Sequence, residues 1–195
     1  MSDVAASAEG EARAYVGLGG NLGDRLATLR SAVRALGQVR DTRVVAASAV
    51  YETRPVGPSI EPFLNAAVEL RTRLSPEELL GELLAIEARH GRERRLRWDA
   101  RTLDLDLLVY SRRGGGGEGA WEALQMREDG LTLPHPRIGE RDFVLVPLRD
   151  LLGEAAEVGG RGIDGWLAGM GEGERTILRC VLEAGGLLDG ARGAG

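Results

Sequence analysis

The chain has 195 residues, 43% of them apolar, and a formal net charge of -5. That is enough chain for one well-packed core but not for two large ones, and the composition excludes general disorder. The negative balance gives no global positive field towards nucleic acid or anionic lipid. No apolar run nears the ~20 residues of a membrane helix, and a single cysteine, Cys180, excludes an internal disulfide.

From Met1 to Glu11 the chain carries acids and no base, and lacks the basic start and apolar centre of a signal peptide. A cytoplasmic location is therefore expected, with residues 1–12 disordered. Ala14 to Leu18 reads as a strand ending in a tight turn, Gly19-Gly20-Asn21-Leu22-Gly23. The turn does not fit a dinucleotide fingerprint, because the third glycine of that pattern would fall on Leu22. Asp24 is placed to cap a helix reaching about Leu36, with Leu26, Leu29, Ala32, Val33 and Leu36 on one face. Val39 to Thr53, with its β-branched residues, is predicted as one strand. Phe63 to Leu74 is its hairpin partner across a proline-stiffened loop, Arg54 to Pro62.

Ser75-Pro76-Glu77-Glu78 carries the cap, the proline and the acids of a helix start. That helix is expected to bury Leu79, Leu83 and Ile86 and to end at His90-Gly91. Thr102 to Tyr110 is predicted as a strand, followed by a flexible Gly-rich insert over about 112–130. Within it, Trp121 to Met126 is a short extra strand. Pro147 to Leu152 and Gly165 to Met170 read as short helices, and 171–195 as a loosely structured tail. The order β-α-β-β-α-β predicts a ferredoxin-like α+β domain over 13–170, an antiparallel sheet with helices packed on it, plus a C-terminal extension. Fold alone does not decide chemistry.

The chain contains no lysine, so all 25 of its Lys-plus-Arg residues are arginine. A P-loop, a protein-kinase site and Schiff-base chemistry each need a lysine, and all three are disfavoured. Asp104 and Asp106 sit two apart in a strand and so share a face, opposite Leu103, Leu105 and Leu107. Paired carboxylates repel unless a cation joins them, and Mg2+ takes such hard oxygens together with water and phosphate. By spacing alone, a solvated amphipathic strand fits equally well. Six arginines, Arg89, Arg92, Arg94, Arg95, Arg97 and Arg101, precede the pair within thirteen residues. Guanidinium forks bind phosphate bidentately, so the run points to a polyanion held between arginines and metal. Trp98 inside that run is either a stacking group or a loop anchor. Glu87 alone means little. His135, pinned between Pro134 and Pro136, is either a phosphate contact or a structural histidine. Asn65 is a polar amide in an apolar strand that pairs either with a heterocycle edge or with a neighbouring group.

Four segments taken together resemble the 6-hydroxymethyl-7,8-dihydropterin pyrophosphokinase family of folate synthesis. They are Tyr15 to Asp24; Ser48 to Pro58 with Phe63 to Val68; Ile86 through Trp98 to Asp106; and Leu131 to Arg137 with Arg141 to Leu145. The resemblance spans roughly Ala14 to Leu152. It implies transfer of the terminal pyrophosphoryl group of ATP to the pterin hydroxymethyl, with release of AMP. It implies Asp104 and Asp106 as holders of two Mg2+ ions, and Arg92 and Arg101 as catalytic phosphate-gripping residues. Glu87, Arg94, Arg97, Trp98, Leu107, Thr132, His135 and Arg141 would join them at ATP. Phe63 and Phe143 would sandwich the pterin, Asn65 and Thr53 would read its edge, and Pro55, Val56 and Trp98 would complete that pocket. The chain departs from the family at Ala100, where proline is common, and at Gly20, where serine is common. Its insert is also longer. The expected partners are small molecules only, with no nucleic acid or membrane, acting on a monomer.

Three other readings compete. An RNA-binding module of the same fold should show alternating aromatics on a sheet face, and none is found. A nucleotidyl or glycosyl transferase using Asp-x-Asp would not require Asn65 and Phe143. A catalytically silent relative would not need Asp104, Asp106, Arg92 and Arg101.

Overall fold

The computed structural model describes residues 10–55, 60–91, 102–113 and 120–189. In chain order the elements are β1 (Ala12–Gly20), α1 (Arg25–Gly37), β2 (Thr42–Ala47), β3 (Val50–Thr53), β4 (Phe63–Thr72), α2 (Pro76–Arg89) and β5 (Asp104–Arg113). There follow β6 (Trp121–Ala123), β7 (Met126–Glu128), β8 (Leu131–Leu133), α3 (Asp142–Leu152), β9 (Glu157–Val158), β10 (Arg161–Gly162), α4 (Ile163–Ala168) and β11 (Ile177–Leu182). The main sheet runs β11-β3-β4-β1-β5-β6, with β2 also paired to β4, and its pairings are antiparallel. The first strand lies between β4 and β5, which is the ferredoxin-like arrangement predicted.

Both helices of that unit form where their ends are capped. The Asp24 carboxylate accepts from the Ala27 amide at 3.0 Å, and α1 buries Leu29, Ala32, Val33 and Leu36. Ser75 and Glu78 form a reciprocal capping box with Pro76 in the first turn, and α2 buries Leu79, Leu83 and Ile86. Their apolar faces cover one side of the sheet, against Ala14, Val16 and Leu18 of β1 and Val68 and Leu70 of β4. A second core occupies the other side. There Tyr15, Leu108 and Val109 meet Val144, Leu145 and Leu148 of α3 and Ile163 of α4.

Four predicted boundaries are corrected. Strand β1 continues through Gly20, so Gly19 and Gly20 are strand residues and not part of the turn. The single strand expected over Val39 to Thr53 is two strands broken at Ser48-Ala49. Ser48 Oγ takes the Ala67 amide at 2.8 Å, and Asp150 of α3 accepts from the Ala49 amide at 3.2 Å and the Tyr51 hydroxyl at 2.9 Å. The break therefore leaves these backbone donors satisfied. Helix α3 begins at Asp142 and carries Pro147 inside it. The tail is ordered as far as it is described: β11 pairs with β3, and Leu187 is 1% exposed in the α1–α2 core. At the far edge, the Trp121 ring of β6 lies 4.9, 4.5 and 4.7 Å from the guanidinium carbons of Arg13, Arg71 and Arg113. No described helix is long and apolar enough to cross a membrane.

One irregularity sets up the site. Val16 pairs with Leu107 and Tyr15 with Val109, so Leu108 is an extra residue in β5. Before this bulge Leu103, Leu105 and Leu107 face the α1–α2 core, and Leu108 belongs to the opposite core. After it, Val109 takes the α3 side and Tyr110 the helical core. The strand thus changes phase part-way along its length.

Candidate active site

Two rows cross the sheet on the α3 side. Asn65 of β4, Gly19 of β1 and Asp104 of β5 are in register, and so are Ala67, Gly17 and Asp106. The middle of each row carries no side chain. A Cβ on Gly19 would lie 3.0 Å from Asn65 Oδ1, and one on Gly17 would lie 3.2 Å from Leu108 Cδ1. The glycines hollow the floor beside the two carboxylates.

Above this floor is a cavity of about 310 Å³ lined by Thr53, Phe63, Asn65, Asp104, Asp106 and Phe143, among others. The chain has only two phenylalanines, and both line it. Asn65 is 7% exposed and donates through Nδ2 to Thr53 Oγ1 at 2.8 Å, which fixes the amide plane. Two aromatic rings and one oriented amide suit a flat heterocycle with donors and acceptors on its edge. A second cavity, of about 280 Å³, is lined by Leu105, Asp106, Leu107, Thr132 and His135, with Leu80 and others. Asp106 belongs to both cavities, so the carboxylate pair sits where they meet.

His135 is fixed by its backbone and its ring. Its amide donates to the Leu108 carbonyl at 2.8 Å, at the bulge, and its Nδ1 accepts from the Arg137 amide at 3.2 Å. The neutral ring then carries its proton on Nε2. Burial holds the imidazole pKa below its usual value. Arg141 and Arg137 act in the same direction, while Asp106 and Asp104 oppose them. The half-buried Arg141 guanidinium lies 5.5 Å from the Phe143 ring centre. Burial and Arg137 lower its pKa, and Asp106 and Asp104 raise it. Arginine remains protonated regardless.

Among the described residues no group of three His, Cys, Asp or Glu side chains gathers as a metal cage. The two aspartates offer hard oxygens only, which fits Mg2+ completing its shell with water and phosphate.

Three sequence expectations move. Glu87, expected at ATP, is 2% exposed, and neither cavity includes it. Its Oε1 instead accepts the Leu105 amide at 2.7 Å, between the two aspartates. Arg141, expected at ATP, lines the cavity of Phe63 and Asn65. Pro55 lines neither cavity; its neighbour Arg54 lines the first. Val56, Arg92, Arg94, Arg97, Trp98 and Arg101 lie outside the described residues. The structure adds Arg137, Glu140, Glu174 and Thr176 to the first cavity. The first two fall within or beside the quoted motifs. The last two have no motif; they precede β11 and are brought to the cavity by its pairing with β3 and by hydrogen bonds to Asp142 and Arg54.

A carboxylate pair between two cavities on an open antiparallel sheet is the arrangement of a two-substrate group-transfer enzyme. A sequence profile of the 7,8-dihydro-6-hydroxymethylpterin-pyrophosphokinase family matches residues 15–153. A 2-amino-4-hydroxy-6-hydroxymethyldihydropteridine pyrophosphokinase of Methylorubrum extorquens is 45% identical over 140 residues, covering 71% of this chain and 82% of the relative. One of Bacillus subtilis is 43% identical over 139 residues, covering 71% and 77%. Among solved structures, a Plasmodium falciparum HPPK-DHPS chain superposes with a TM-score of 0.60 at 12% identity. The match covers 86% of this chain and 47% of that one, and so supports the fold. The chain belongs to the 7,8-dihydro-6-hydroxymethylpterin-pyrophosphokinase family.

Proposed function

We propose that this chain transfers pyrophosphate from Mg-ATP to 6-hydroxymethyl-7,8-dihydropterin in folate synthesis. The hydroxymethyl oxygen bonds to the β-phosphorus, the bridge from that phosphorus to the α-phosphate breaks, AMP leaves, and the hydroxyl proton is released. The observation that carries the reading is the position of Asp106, shared by a heterocycle-sized cavity and a second cavity.

In this reading the first cavity takes the acceptor. Phe63 and Phe143 hold its faces, and Asn65, oriented by Thr53, pairs with its edge. The second cavity takes the nucleotide beside Leu107, Thr132 and His135. A neutral His135 donates from Nε2 to a phosphate oxygen, and Arg137 and Arg141 offset charge near the carboxylates. Arg92 and Arg101 are assigned to the phosphates on sequence grounds. Asp104 and Asp106 would hold two Mg2+ ions, which supply charge neutralisation and Lewis acidity when bound. Glu87 keeps the Leu105 amide in place and so holds both carboxylates on one face. A monomeric chain acting in the cytoplasm belongs to the same reading.

The test is a product assay with ATP, Mg2+ and the reduced hydroxymethylpterin. AMP should form in step with pterin diphosphate. ADP, or nucleotide turnover indifferent to the pterin, would overturn the assignment.

A further inference from the structure

The family match ends at residue 153, yet Gly173, Glu174 and Thr176 help to line the first cavity. Their attachment is specific. The Asp142 carboxylate, 3% exposed, accepts from the Thr176 amide at 2.5 Å, the Thr176 hydroxyl at 2.5 Å and the Ile177 amide at 3.0 Å. Thr176 returns its carbonyl to the Arg54 amide at 2.8 Å, and the Arg54 guanidinium donates to the Arg175 carbonyl. Asp142 stands between Arg141 and Phe143, and both of these line the same cavity. One turn of chain therefore presents two cavity residues and anchors the C-terminal segment.

That segment brings one carboxylate to the rim. Glu174 lines the cavity and is exposed. Its Oε2 accepts from the Gly171 amide at 2.8 Å, and among the described residues it has no ionic partner. Glu140, the other rim carboxylate, is tied to Arg137 at 2.7 Å. A carboxylate beside an apolar cavity recognises N–H donors on a ligand edge.

We infer that the C-terminal segment 171–177 is a working wall of the acceptor cavity, with Asp142 as its positioning residue and Glu174 as an acceptor for N–H groups of the bound heterocycle. This rests on the reading of the first cavity as the acceptor site. Acceptor recognition then extends beyond the family-matched region.

The test uses the full chain and initial rates with ATP and the hydroxymethyldihydropterin varied separately. Glu174→Gln should raise the acceptor KM about three- to tenfold while the ATP KM and melting temperature stay at wild-type values. Asp142→Ala should raise the acceptor KM about tenfold or more and lower the melting temperature, with Asp142→Asn in between because it keeps one accepting oxygen. Should Asp142→Ala fail to fold, Glu174→Gln and Thr176→Val carry the test. An unchanged acceptor KM alongside a lowered melting temperature would make the segment a brace only and overturn the inference, as would both KM values rising together. A wild-type chain without pterin-dependent AMP would instead overturn the acceptor reading itself, and this inference with it.

Discussion

At the scale of single residues, the carboxylate pair was legible in the sequence. Asp104 and Asp106 share a face because strand side chains alternate, and both line the first cavity, with Asp106 lining the second as well. Asp104→Ala or Asp106→Ala should lower turnover about a hundredfold or more. The fold should stay intact, since neither side chain belongs to either core. AMP release and a thermal melt check both outcomes. Gly19 and Gly20 were misread as part of a turn, since a run of Gly signals a bend in sequence and a hollow only once its neighbours are known. Gly19→Ala puts a methyl 3.0 Å from Asn65 Oδ1 and should raise the acceptor KM while leaving the ATP KM alone. All three tyrosines have raised pKa values. Burial, then Glu69, pushes Tyr15 up to about 12, and burial leads the rise at Tyr51 and Tyr110. A phenol whose folded pKa exceeds its unfolded value adds stability below the unfolded value of about 10, and that stability is lost as pH climbs through the folded value. Absorbance at alkaline pH should therefore show little phenolate near pH 10, followed by ionisation together with unfolding towards about 12.

At the scale of elements, α1 and α2 were read well because their caps are local: Asp24, Ser75 and Glu78 act within four residues of chain. The strands were read less well because their limits depend on partners. Nothing in the β-branched run from Val39 to Thr53 announces the break at Ser48, which depends on Asp150 of a distant helix. Nothing in Leu107-Leu108-Val109 announces the bulge, since all three residues are apolar and buried. Glu87 was ambiguous on the helix face because its partner is the backbone of β5. Glu87→Ala should leave the Leu105 amide without its acceptor and cost about 1–3 kcal/mol in urea unfolding. Glu87→Gln should cost less, because its carbonyl still accepts.

At the scale of the whole molecule, the sheet separates two cores: the first cavity opens on the α3 side, and the second is lined by Leu80, Leu105, Leu107 and Leu131 of the α1–α2 side. The β-α-β-β-α-β order was legible, but the added β11 was not, because its residues are mostly exposed and its pairing is long-range. Hydrogen exchange should rank β1, β4 and β5, which lie inside the sheet, as the slowest strands, with β6 and β11 at its edges faster. A β11 as slow as β1 would contradict that order. The bulge at Leu108 has a further consequence, which resembles a reading frame. Residues on its N-terminal side supply carboxylates to the site, and Val109 on its C-terminal side supplies a wall to the second core. One residue gained or lost between Asp106 and Val109 would put these two contributions out of phase, turning either an acid into the core or an apolar side chain out of it. Among relatives the count of residues from Asp106 to Val109 is therefore expected to be fixed.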